Sequence, residues 1–166
     1  MSMMDLETRL AEAVRLREGG STEQALENLL DLHRERPDDA RVNLQCAWAH
    51  DKLGREREAV PFYQRAIELG LEGDRLRDAL IGLGSTYRAL GEYHESLRTL
   101  DHAVEVFPEH RGLVVFRAMA LYNNDRFKEA CETLLRVVSE TTTDEDIAVY
   151  TDAIDVYAAD LDRTWQ

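Results

Sequence analysis

Few residues in this chain have the types and spacing that chemistry needs. In "ALIGLGSTYRALGEYHESL", residues Ala79 to Leu97, the glycines Gly82 and Gly84 invite comparison with loops that cradle a phosphate on backbone N–H groups. The dinucleotide fingerprint G-x-G-x-x-G would need glycine where this chain has Tyr87, and it would need a preceding strand. No G-K-[ST] follows to make a P-loop, and no G-x-S-x-G nucleophile elbow occurs. Five histidines, His33, His50, His94, His102 and His110, come from different helices or turns, and none belongs to H-E-x-x-H or another ligand pair. The acidic runs Asp38-Asp39 and Asp144-Glu145-Asp146 precede or open helices, where negative charge complements the helix dipole, so they read as caps rather than as a general acid and base. The second run also lacks the glycine and terminal glutamate of a calcium-binding loop. Cys46 and Cys131 sit among apolar helix formers, far from any CxxC arrangement, and both are expected as buried thiols. The expectation is a chain with no catalytic residue, no cofactor and no metal.

Composition narrows the partners. A chain of 166 residues with 44% hydrophobic content can bury a core as one compact domain or a short repeat array. A net charge of −13 argues against a nucleic-acid backbone, which demands a basic face. From Ser139 to Gln166 eight acidic residues face one arginine, either a solvated helix face or a surface that attracts a basic partner. No run reaches the roughly 18 apolar residues of a membrane span. The start "MSMMDLETRL" lacks the apolar core and cleavage site of a signal peptide, so the expected location is the cytoplasm.

The elements that would position any site are helices in a repeating order. Gly20 and Gly54, Ala25 and Ala59, Leu29 and Tyr63, and Leu32 and Ala66 all stand 34 residues apart. A third copy, "GEYHESLRTLDHAVEVFP", follows after 37 residues and a fourth, "DRFKEACETLLRVVSETT", after 34 more. The three extra residues fall near Gly70 to Asp74, a natural loop. Each copy reads as two helices around a turn, with apolar residues such as Leu97, Leu100, Ala103, Val104 and Phe107 at helical spacing and no strand pattern anywhere. Ser21-x-x-Gln24 and Thr142-x-x-Glu145 have capping-box spacing and predict helix starts near residues 22 and 143.

The third copy reads Leu80-x-x-Leu83-Gly84-x-x-Tyr87, then Ser96-x-x-x-Leu100, then Pro108, and so resembles a tetratricopeptide repeat. The resemblance covers about residues 5 to 142, with repeats expected at about 6–39, 40–73, 77–110 and 111–142 in a single domain. It implies an all-α fold of antiparallel helix pairs forming an alpha-alpha superhelix. The first copy carries Arg9 and Glu12 at apolar places of the pattern, as suits a terminal repeat, and Arg117 departs similarly in the fourth. In this register Gly84 takes the small-residue place where two helices of one repeat approach closest, with Ala13, Ala47 and Ala118 as equivalents. His50 replaces the pattern's tyrosine and is expected to pack between helices. Beyond the repeats, Ile147, Tyr150, Ile154, Tyr157 and Leu161 form one stripe of a helix expected over 144–163, which would cap the array or associate with another chain.

What the resemblance implies for function is protein binding. In such proteins the first helices of successive repeats line a concave groove for a peptide or helix. Here that face carries Leu44, Gln45 and Trp48, then Ile81, Gly82 and Ser85, then Val115, Phe116, Met119 and Tyr122, an unusually apolar set. Trp48 and Phe116 are the expected anchors. The Lys, Asn and Arg clamp that some relatives use on C-terminal carboxylates is missing, because those places hold apolar or small residues. Gly82 would leave a notch in the groove wall for a bulky side chain. The expectation is a scaffold that forms a homodimer, or alternatively a monomeric adaptor whose groove holds its own C-terminal segment until a protein or peptide partner binds.

Overall fold

The structure, a computed structural model, describes residues 5–165, and these contain ten helices and no strand. The chain divides after Gly91 into two compact units. The first holds α1 (Leu6–Glu18), α2 (Thr22–Glu35), α3 (Ala40–Lys52), α4 (Glu56–Glu68) and α5 (Gly73–Ala89). The second holds α6 (Tyr93–Val106), α7 (Arg111–Asn123), α8 (Phe127–Thr141), α9 (Glu145–Ala148) and α10 (Thr151–Ala159).

The repeat shows in the backbone. Gly20, Gly54 and Gly91, at φ of 93°, 68° and 77°, turn the chain through the left-handed region that glycine enters without a Cβ penalty. The fourth copy does the same with Asp125 at φ 60°, the one non-glycine with positive φ among the described residues. The residue after each of these, Ser21, Arg55, Glu92 or Arg126, is the N-cap of the following helix and makes no side-chain cap bond. The capping role expected of Ser21 is therefore absent although α2 starts at Thr22. The real side-chain caps sit on other helices: Asp5, Asp39 and His110 accept N–H bonds at the starts of α1, α3 and α7.

In the first unit α3 is packed between its neighbours and contributes to two buried clusters. Val42, Cys46 and Ala49 meet Leu10 and Ala13 of α1 and Leu26, Leu29 and Leu32 of α2. Leu44 and Ala47 meet Ala59, Tyr63 and Ala66 of α4 and Ala79, Leu83 and Tyr87 of α5. Ala13, Ala47, Gly84 and Ala118, the small-residue places of the repeat, are all buried. His50 is buried and stacks on Phe62 at 5.3 Å between ring centroids, and burial lowers its pKa. Arg9, at an apolar place of the pattern, reaches Glu35 through two bonds of 2.7 and 2.9 Å.

In the second unit α7 packs on α6 and α8, and α10 packs on α8. Arg117 is accommodated by Asp101 at 2.5 Å and Glu129 at 3.4 Å. The single helix expected over 144–163 is instead two, α9 and α10, separated at Val149 and Tyr150, where branched and aromatic side chains have weak helix propensity. The start expected near 143 falls at Glu145, because Asp144 rather than Thr142 caps α9 through the Asp146 N–H at 2.9 Å. Cys46 is buried, which pushes its thiol up to about 12, but Cys131 is exposed, a correction to the expected pair of buried thiols. Cys131 follows Ala130, the buried residue of α8, and one helical step of about 100° turns it outward.

Candidate binding cleft

Helices α1, α3 and α5 lie near one another, with α3 between the other two. They enclose a cleft of about 390 Å³ whose lining includes Leu10, Ala11 and Val14 from α1, Leu44, Gln45 and Trp48 from α3, and Arg75 from α5. Leu44 is fully buried and ties this cleft to the core, whereas Trp48 is half-buried and keeps part of its ring available. The Gln45 side-chain oxygen is buried on the cleft wall with no hydrogen-bond partner. An unmatched buried acceptor carries a desolvation penalty that a donor from a bound chain would offset.

Trp48 also borders a second, more open depression of about 600 Å³ with Arg17, Glu18, Asp51, Lys52 and Tyr63. The Arg17 guanidinium stands 5.2 Å from the centre of the Trp48 ring, a cation–π contact. Lys52 Nζ donates to the Arg17 carbonyl at 2.6 Å, which ties the end of α1 to α3. Arg41, at the other end of the cleft, is held by Glu7 at 2.7 Å and Asp39 at 2.9 Å. Its hydrogen bond keeps the Asp39 carboxyl below the ordinary range. Arg75 is exposed and makes no ion pair among the described residues.

Behind Trp48 lies a polar junction of three helices. Asp51 Oδ2 accepts from Tyr63 Oη at 2.6 Å and lies 2.9 Å from Thr86 Oγ1, which is also 2.8 Å from the Gly82 carbonyl. Thr86 has one hydroxyl proton, so two acceptors share it. Burial raises the Asp51 carboxyl above its ordinary value, with both hydroxyls opposing the shift, and burial followed by Asp51 raises the Tyr63 phenol.

This junction explains Gly82. A Cβ built there would meet Tyr63 Cζ at 2.6 Å and Cε1 at 2.7 Å, so the missing side chain is what lets the tyrosine reach Asp51. The notch expected for a partner's side chain is already filled from within the chain.

Of the residues expected to line one groove, Leu44 and Trp48 share the cleft, while Ile81, Gly82 and Ser85 lie on α5 outside its lining. Val115, Phe116 and Met119, half-buried, and Tyr122, exposed, lie on α7 of the second unit. Sequence reasoning missed Arg17, Asp51 and Thr86. Asp51, a charged residue one place after a helical position expected to be packed, was the available signal.

The family model for the tetratrico peptide repeat matches residues 40–161. The chain belongs to the tetratricopeptide repeat family. Curated relatives include Superkiller protein 3 of Saccharomyces cerevisiae, 25% identical over 101 residues that make 61% of this chain and 7% of that protein. Another is the aspartyl/asparaginyl beta-hydroxylase of Mus musculus, 29% identical over 143 residues, 80% of this chain and 19% of that protein. This tetratricopeptide repeat chain thus spans a small part of the curated relatives it matches. Among solved structures, MamA (41-end) from Desulfovibrio magneticus RS-1 superposes with a TM-score of 0.75 at 19% identity, covering 96% of this chain and 89% of that one. YrrB, a TPR protein with an unusual peptide-binding site, gives 0.73 at 21% identity over 96% of this chain and 79% of its own. At these identities the likeness to solved tetratricopeptide repeat structures concerns the fold. Among the described residues no helix is long and apolar enough to cross a membrane, and no group of three or more His, Cys, Asp or Glu could hold a metal.

Proposed function

We propose that the chain is a non-catalytic, cytoplasmic scaffold whose first unit holds a peptide or amphipathic helix in the cleft around Trp48. The observation that carries this reading is the arrangement on α3, where an aromatic ring shared by two depressions stands near a buried carboxamide oxygen with no partner. Aromatic anchors and amide groups on one rigid helix are what an extended or helical ligand uses for depth and register. Phe116 and its neighbours on α7 offer a contact surface that belongs to the second unit by itself. Affinity capture with wild type should recover a protein that Trp48→Ala loses. Equal recovery by Trp48→Ala overturns the reading.

Self-association has its own supporting observation. On α8, Phe127, Cys131, Leu134 and Val138 recur at spacings of 4, 3 and 4, and all are exposed. Charges beside the strip are paired, as in Glu129 with the N-cap residue Arg126 at 2.5 Å and Glu140 with Arg111 at 2.9 Å. This neutral strip suits packing against the same strip of a second copy, and light scattering should give twice the chain mass, returning to one chain in Leu134→Glu. The alternative in which the C-terminal segment fills the cleft has less behind it. That segment already makes bonds to α8, from Arg136 to the Ala158 carbonyl at 3.0 Å and from the Leu161 N–H to Glu132 at 3.1 Å.

A further inference from the structure

The outer side of α9 and α10 is a surface of a different kind from either the cleft or the α8 strip. Ala158 is buried and Ile154 half-buried, while Val149 is 73% exposed and Tyr150 63% exposed, and Val156 and Tyr157 are also exposed. Interleaved with these are Glu145, Asp146, Asp152 and Asp155, whose carboxylates make no ion pair among the described residues. Asp160 and Asp162, by contrast, are both paired with Lys128. On α10 Asp152 stands one turn from Val156 and from Asp155, so acid and apolar side chains are neighbours on the helix.

We propose that this face docks a basic amphipathic segment of another protein. The exposed apolar and aromatic side chains provide the contact, and the unpaired carboxylates decide its chemistry. A second copy is a poor occupant here, because it would set another stretch of eight acidic residues and one arginine against the first. An anionic lipid surface is repelled for the same reason. A helix with lysine or arginine flanking an apolar stripe meets both requirements at once.

The test uses the full chain and an 18-residue helical peptide of leucine and lysine, read by fluorescence anisotropy at low salt, with a leucine and glutamate peptide of the same pattern as control. The lysine peptide should bind and the glutamate peptide should not. Val149→Ser with Tyr150→Ser, which keeps every charge, and Asp152→Asn with Asp155→Asn should each weaken binding about tenfold. Glu23→Gln with Glu27→Gln, which removes the same charge from exposed places on α2, should bind within about twofold of wild type. Circular dichroism verifies that each variant is folded. Equal weakening in the Glu23 and Glu27 variant would show net charge alone at work, and equal binding of both peptides would remove the charge requirement. Loss of binding in Trp48→Ala would place the peptide in the cleft, and a dimer broken by the Val149 and Tyr150 variant would assign the face to a second copy. Each of these results overturns the proposal.

Discussion

The two units solve the same repeat differently. Among the described residues, all of the exposed large hydrophobic side chains, from Tyr93 to Trp165, lie in the second unit, and the first exposes none. Charge divides unevenly too: residues 1–91 carry 13 basic and 17 acidic residues, and residues 92–166 carry 7 and 16. In the first unit the apolar side chains of α3 are covered by helices on both sides and Asp51 finds two hydroxyl donors within the unit, while the Gln45 side-chain oxygen stays unmatched on the cleft wall. In the second, α8 buries only Ala130 among its described residues, and α9 and α10 leave much of their apolar surface in water. A region whose large apolar side chains are covered is built for rigidity, with contact confined to its cleft, and one that leaves them in water is built for contact across its surface.

The first unit is tightest where Gly82 meets Tyr63. Gly82→Leu should cost about 3 kcal/mol, because its side chain needs the space that Tyr63 occupies. Combining it with Tyr63→Ala should cost less than the two single losses added, and urea denaturation measures both. A Gly82→Leu variant as stable as wild type would show that the two residues do not compete for space. Tyr63→Phe should cost about 1–2 kcal/mol, since it deprives the half-buried Asp51 carboxylate of one donor while leaving the ring in place. In the second unit Asp125→Gly should gain up to about 1 kcal/mol by relieving a left-handed backbone, as glycine already does at the equivalent turns. A loss of stability there would mean that the Asp125 side chain supports the turn. Smallest of all, Val149→Ser with Tyr150→Ser should change stability by less than about 0.5 kcal/mol, because neither side chain is buried. A large loss would show that the outer face of the last helices is held by packing after all.

Much of the fold was legible because repetition leaves marks of several independent kinds. The 34-residue spacing of Gly20 and Gly54, the small residues at 13, 47, 84 and 118, and Pro37 and Pro108 after the helices they end all constrain the same helix pairs. Departures from the pattern were legible as positions but not as solutions. Arg117 stood out at an apolar place, yet the carboxylates that receive it, Asp101 and Glu129, lie 16 and 12 residues away on neighbouring helices. Cys131 shows the same limit, since its apolar neighbourhood in sequence said nothing of which side of α8 would be covered.

Gly82 and Gly84 separate most clearly what each level decides. Their shared helix, and the assignment of Gly84 to a packed repeat position, follow from the sequence alone, because helical spacing and the repeat register need no neighbour to be known. That Gly82 serves Tyr63, and through it Asp51 and Thr86, depends on contacts between α3, α4 and α5 that join residues as far as 35 positions apart. Local periodicity determines which side chains share a face. Only the packing of one helix against another decides what that face meets, and therefore which groups are satisfied within the chain and which are left for a partner.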